Sequence, residues 1–196
     1  MRREAVGRNC PGQRQRSSAI GGGATSELSF RRLEASDLPL LGSWLAEEPA
    51  LRWYQGGRAP TSEELEAKYL PRIRGEEPVA CWILMLEGRP AGFFQTYLLR
   101  DFPDHPAGPR PRAAALDYLL APAETGHRLA PPALLEFLRQ VVFLAPDVAR
   151  CYADPDPANL ASVRSLRRAG FRRSPGPRIE GVMLLSCSCR RAFLQS

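Results

Sequence analysis

The sequence predicts an α+β fold, a mixed central sheet with flanking helices, and three observations carry that. Two helix-like segments, 36–46 and 61–74, separate a first strand from a mid-chain β-hairpin over 79–99. A strand at 113–120, an apolar-periodic run to Leu144 and a strand at 148–154 then form a βαβ unit. Such a crossover returns the chain to the same end of the sheet, so the two strands run parallel inside an otherwise hairpin-built sheet. At 196 residues, 44% hydrophobic and 24% charged, the chain can bury one sizeable core as an ordinary globular domain.

In chain order, residues 1–26 mix Arg, Gln, Ser and Gly without periodicity and read as a disordered basic tail, with one domain over 27–196. Leu28–Leu33 alternates as a strand. Ser36 and Asp37 open a helix whose Leu38, Leu41, Trp44 and Leu45 recur at helical spacing, and Pro49 ends it. Leu51–Gly57 reads as a loop carrying the adjacent aromatics Trp53 and Tyr54, which by themselves suggest core packing. Thr61-Ser-Glu-Glu64 is a capping box for a helix to about Arg74. Val79–Leu86, the Glu87-Gly88-Arg89 turn and Pro90–Leu99 make the hairpin. A proline-rich loop over 101–112 precedes the strand Ala113–Leu120, interrupted by the acid Asp117. The next helix carries Leu134, Leu135, Leu138, Val141, Val142 and Phe143 nearly all round, so it is buried. After the strand Val148–Asp154, a helix capped within Asp154–Asn159 ends at Arg168 with Gly170 behind it. Phe171–Arg173 and Ile179–Cys189 finish as strands, the latter placing Cys187 and Cys189 on one face.

The net charge of +6 invites a nucleic-acid reading, but its location argues against one. Arg2, Arg3, Arg8, Arg14 and Arg16 against Glu4 put +4 into residues 1–26 and leave +2 for the rest, too little for a dedicated nucleic-acid surface. The five cysteines and two histidines show no metal-ligand spacing, so no metal is expected and the thiols read as reduced. No stretch has the length of a membrane span or the apolar core of a signal peptide. No membrane partner and a cytoplasmic location are the expectations.

The chemistry starts at the strand 113–120 and the turn after it. A strand feeding a helix N-terminus presents unpaired N–H groups and the positive end of the helix dipole, which suits a phosphate-bearing ligand. A carboxylate on an apolar strand costs several kcal/mol unless it is paired, which marks Asp117 as a candidate functional group. Asp154 is the second candidate, with helix capping as its competing role. His105, on the proline-rich loop, reads as a solvated histidine.

Three motifs resemble the GNAT N-acetyltransferase superfamily over about residues 28–190. They are Gly92-Phe-Phe-Gln-Thr-Tyr97, Asp117-Tyr-Leu-Leu120, and Asp154-Pro-Asp-Pro-Ala-Asn-Leu160 running without a gap into Arg168-Ala-Gly-Phe171. More narrowly they resemble the branch of aminoglycoside 6′-N-acetyltransferases and siderophore-type lysine N-acyltransferases. The resemblance implies a GNAT fold and acetyl-CoA as co-substrate. It implies pantetheine pairing near Leu119 and Leu120, pyrophosphate on the turn Gly126, His127, Arg128, Leu129 and Ala130, and a further cofactor contact at Asn159. In that turn Arg128 stands where the family favours glycine, and Pro131 and Pro132 remove two N–H donors from the helix start. Trp53, Tyr54, Gln95 and Tyr97 match substrate-side positions. Leu166 holds the place where many members carry a tyrosine that protonates the leaving thiolate.

The reading is acetyl transfer from acetyl-CoA to a primary amine, a small-molecule acceptor such as an aminoglycoside 6′-amine. Siderophore-type lysine acylation is the alternative, since Arg100, Arg110 and Arg112 offset Asp101 and Asp104 on the loop. A non-catalytic CoA-binding module is the other, suggested by Arg128 and Leu166.

Overall fold

A computed structural model of the chain describes residues 27–54, 56–174 and 182–194. The expected basic tail lies outside them. Among the described residues one sheet holds β1 (Leu28–Arg32), β2 (Val79–Leu86), β3 (Arg89–Leu98), β4 (Ala113–Leu120), β5 (Arg150–Ala153), β6 (Arg172–Arg173) and β7 (Leu185–Ser188). Around it lie α1 (Leu38–Leu45), α2 (Ala50–Tyr54), α3 (Ser62–Arg74), α4 (Ala130–Gln140), α5 (Leu160–Arg168) and α6 (Cys189–Leu194). The strand order is β1-β2-β3-β4-β5-β7-β6, antiparallel throughout except for β4 and β5, which are parallel as the βαβ reading requires.

The helix starts follow their local chemistry. Thr61 Oγ1 accepts from the Glu64 N–H at 3.2 Å while Glu64 Oε2 accepts from the Thr61 N–H at 2.8 Å, the reciprocal capping the sequence predicted. Asn159 Oδ1 accepts from the Ser162 N–H at 3.1 Å and so caps α5.

Alternation along β3 and β4 divides the core in two. Phe94 and Leu116 face α4, α5 and α6, where Phe137 and Leu138 fill the space; Phe93 and Leu119 face α1 and α3. Full burial of side chains this large is worth about 1.5–3 kcal/mol each, which fixes the register of the pair. Register then sets the site: Gln95 lies opposite Asp117 and Phe94 opposite Tyr118. Gly92 lies opposite Leu120, where an added Cβ would come within 2.7 Å of the Leu119 carbonyl oxygen.

The structure departs from the sequence reading in four places. Ala50–Tyr54, expected as loop, is the short helix α2, its amides at Leu51 and Trp53 donating to the carbonyls of Glu47 and Pro49. Five residues are too few to show a helical period. The buried helix stops at Gln140, and Val142–Leu144 forms a separate tight turn. The last strand begins at Leu185, and Cys189 starts α6, so Cys187 and Cys189 do not share a strand face; residues 179–181 of the expected strand lie outside the described ones. Cys81, Cys151 and Cys187 are free and buried, whereas Cys189 is disulfide-bonded, against the expectation of reduced thiols throughout.

β4 and β5 stay together only briefly. Their ladder runs from Ala113 opposite Arg150 to Ala115 opposite Tyr152; β5 ends at Ala153 while β4 continues to Leu120. The parting strands open a notch in the middle of the sheet.

Candidate active site

The notch widens into a cleft of about 290 Å³. Its walls are β4 from Leu116 to Leu120, the end of β5 with Asp154 and Asp156, the cleft side of α5, the turn at Thr125 and Gly126 with Ala130, and Trp53 and Tyr54 from α2. Three carboxylates line it (Asp117, Asp154, Asp156), with no Lys or Arg among the described lining residues. The arginines of the proline-rich loop are engaged elsewhere. Arg100 pairs with Asp147 at 3.1 Å, Arg110 donates to the Ala107 carbonyl and lies over the Tyr152 ring, and Arg112 donates to the Asp147 carbonyl. The charge balance read from that loop therefore misstates the cleft, which is acidic.

Asp117 sits at its floor. Gln95 Nε2 donates to Asp117 Oδ2 at 2.7 Å; Arg72 Nη1, from α3, donates to Gln95 Oε1 at 3.1 Å; and Arg72 Nε donates to Glu77 Oε2 at 2.9 Å. The relay holds the carboxylate in one orientation. Burial pushes Asp117 up to about 6, the Gln95 hydrogen bond pulls it down, and the charge of Asp154 raises it again. At neutral pH the group is ionised yet basic enough to take a proton.

Asp154 does not cap α5, since Asn159 does. Its carboxylate instead faces His105, Nε2 to Oδ1 3.8 Å. The expectation of a solvated histidine fails: only 6% of the His105 side chain is exposed, and the Ala107 N–H donates to its Nδ1 at 3.0 Å. That bond leaves the proton of the neutral ring on Nε2, toward Asp154. Burial lowers the His105 pKa, against the raising effect of Asp154.

The remaining expected site residues divide into those at the cleft and those behind it. Trp53, Tyr54, Leu119, Leu120, Gly126, Ala130 and Asn159 line it. The Tyr54 hydroxyl is buried without a hydrogen-bond partner, and its pKa is driven well up, first by burial and then by Asp117. Gln95 acts behind Asp117. Tyr97 packs on Phe102 at 4.6 Å and on His105 at 5.9 Å between ring centroids. His127 and Arg128 project outward as exposed residues of the turn, with Leu129 partly buried beneath them.

That turn contains two left-handed residues. Gly126 has φ +87° and Arg128 φ +60°, so the arginine adopts the left-handed conformation that glycine takes freely. The α4 N-terminus has no side-chain cap; Pro131 and Pro132 have no N–H and the Ala133 amide donates to the Leu129 carbonyl at 3.1 Å, so the Ala130 amide is the one left in the first turn for a ligand. These features fit the pyrophosphate of an acyl-CoA. Among the described residues no group of three or more His, Cys, Asp or Glu is placed to hold a metal.

Two contributors escaped the sequence reading. Arg72 signalled itself only by its spacing, three residues after the buried Tyr69 on α3. Tyr118 was visible, but alternation alone did not say which face it used.

A sheet parted between parallel β4 and β5, with a carboxylate on β4 and an uncapped helix start beside the gap, is the framework of an acyl-CoA-dependent N-acetyltransferase. Residues 34–176 match the acetyltransferase (GNAT) domain family, and the chain belongs to that family. It is 30% identical over 153 residues to the aminoglycoside N(6')-acetyltransferase type 1 of Klebsiella pneumoniae, covering 76% of each chain. The crystal structure of aminoglycoside acetyltransferase AAC(6')-Ib with coenzyme A superposes with a TM-score of 0.75 at 27% identity, over 87% of this chain and 99% of that one. The structure of AAC(6')-Ib with paromomycin and acetyl-CoA gives 0.74 at 29% identity, over 86% and 97%.

Proposed function

We propose that the chain transfers the acetyl group of acetyl-CoA to the 6′-amine of an aminoglycoside, in the cytoplasm, through one catalytic domain spanning residues 27–196. The observation that carries this is the acidic cleft: Asp117, Asp154 and Asp156 with the aromatic wall of Trp53 and Tyr54 suit a polycationic sugar. Asp154 anchors the arriving ammonium. Asp117 takes its proton, directly or through water, so that the nitrogen lone pair can attack the thioester carbonyl. Gln95 and Arg72 orient Asp117, and Tyr97 supports the acceptor side through His105. The co-substrate is held by the backbone of Leu119 and Leu120, by the turn from Gly126 to Ala130, and near Asn159. Arg128 adds a cation beside the phosphates.

Siderophore-type acylation needs a site for the acceptor's own carboxylate. Lys68 and Arg72 are felt by Asp117 but lie outside the cleft lining, which favours the polycation. The test is incubation with acetyl-CoA and an amine panel of aminoglycosides, polyamines and lysine derivatives, read by product mass. Acetylated aminoglycoside is the expected product. Turnover confined to lysine derivatives would replace this reading, and CoA binding without any product would make the chain a binding module.

A further inference from the structure

Moving an acyl group from a thioester to an amine forms a C–N bond and breaks a C–S bond. The amine gives up a proton, and the departing thiolate takes one up. Asp117 serves the first transfer, on the face of β4 that looks toward α3. The second needs a donor on the other side of the thioester, and Leu166, buried in the cleft wall, cannot be one.

Tyr118 follows Asp117 on β4, so its side chain leaves the opposite face of the sheet. Its ring stacks on Phe94, centroids 5.5 Å apart at 29°, and it lines the cleft. Its hydroxyl donates to Ser162 Oγ of α5 at 3.4 Å; Ser162, Ser165 and Leu166 all line the cleft beside it. The other tyrosines are placed differently. Tyr152 is buried with Leu99, Ala107 and Ala115 beneath Arg110, while Tyr54, Tyr69 and Tyr97 pack with Phe93 and Leu119 on the Asp117 side of the sheet.

We propose that the Tyr118 phenol, held against Ser162 of α5, is the acid that protonates the departing thiolate. Base and acid are then neighbours in sequence, with the thioester between the two faces they occupy. The amine nitrogen bonds to the acyl carbon, the C–S bond breaks, and sulfur takes the Tyr118 proton. The surplus proton of the amine passes to Asp117. Solvent entering the open cleft returns a proton to the phenolate and removes one from Asp117. Burial raises the phenol's pKa while the Ser162 and Ser165 hydroxyls hold it down, so at neutral pH the proton is present to be given. Phe94 from β3 adds no charge to this environment.

The inference rests on the acyl-transfer reading, and the experiment separates the two. Tyr118→Phe keeps the ring on Phe94 and removes only the hydroxyl. With the full chain, acetyl-CoA and an aminoglycoside that the wild type accepts, kcat is expected to fall about 100-fold, the low end of general-acid effects. The KM for acetyl-CoA and the thermal midpoint stay at wild-type values. With an acetyl thioester of an aromatic thiol, whose leaving group needs no acid, the defect shrinks to a few-fold. A kcat within threefold of wild type, or an equal defect with both donors, would overturn the assignment. A wild type that releases no thiol would instead overturn the acyl-transfer reading, and this inference with it.

Discussion

Replacing Asp117 by Asn should make the protein more stable and nearly inactive, and both effects can be worked from its surroundings. The carboxyl's pKa rises from 3.8 to about 6 in the fold, chiefly through burial. At about 1.4 kcal/mol per unit, holding the ionised form in place costs about 3 kcal/mol. The sign follows from which form the fold favours. Below pH 3.8 the carboxyl is protonated both folded and unfolded, so Asp and Asn are nearly equivalent. Between 3.8 and about 6 the unfolded chain loses the proton first and the stabilising effect of the protonated group disappears. Above that the wild type carries the full cost and the Asn variant does not. For a chain of this length, about 3 kcal/mol corresponds to a rise in melting temperature of roughly 6–12 °C. Asn accepts the Gln95 hydrogen bond through its carbonyl but cannot take a proton, so kcat should fall roughly 10²–10⁴-fold. Thermal melts of both proteins at pH 3.5 and pH 8, beside a thiol-release assay at pH 8, measure the two effects. A variant that melts below the wild type at pH 8, or retains its kcat, would refute the reasoning.

Three other substitutions test separate parts of the site. Gln95→Leu removes the amide that stabilises the ionised Asp117, so the acidic limb of kcat/KM should move to higher pH, as a pH–rate profile would show. Arg128→Gly relieves a non-glycine residue at φ +60° and should raise stability by about 1 kcal/mol in a thermal melt, while losing the cation beside the phosphate turn. Gly92→Ala drives a Cβ to 2.7 Å from the Leu119 carbonyl, backbone against backbone, which should cost about 1–3 kcal/mol and lower activity by disturbing the strand that carries Asp117.

The fold was legible where hydrophobic period and caps agree. The Thr61 capping box, the hairpin around Gly88 and the βαβ crossover all stand where the sequence put them. α2 was not legible, because five residues after Pro49 show no period and depend on Glu47 and Pro49 carbonyls for their hydrogen bonds. At the site, Asp117 was readable because a lone acid on an apolar strand violates its surroundings. Its setting was not. The relay through Gln95 and Arg72 joins residues 45 positions apart along the chain, from Arg72 to Asp117, and depends on strand register and helix docking together. His105 shows the same limit: nothing in a proline-rich loop announces that its histidine folds under against Asp154. The acidity of the cleft was hidden too, because the arginines that balance it in sequence turn away from it in space.

The central claim is that the parted strands bring an acetyl thioester and an amine together over Asp117. Its most direct test compares thiol release from acetyl-CoA with two aminoglycosides that differ only at the 6′ position, one an amine and one a hydroxyl. The account predicts saturable thiol release and one acetyl group gained with the amine, and background release with the hydroxyl. Equal rates with both, or none with either while CoA binds, would contradict it.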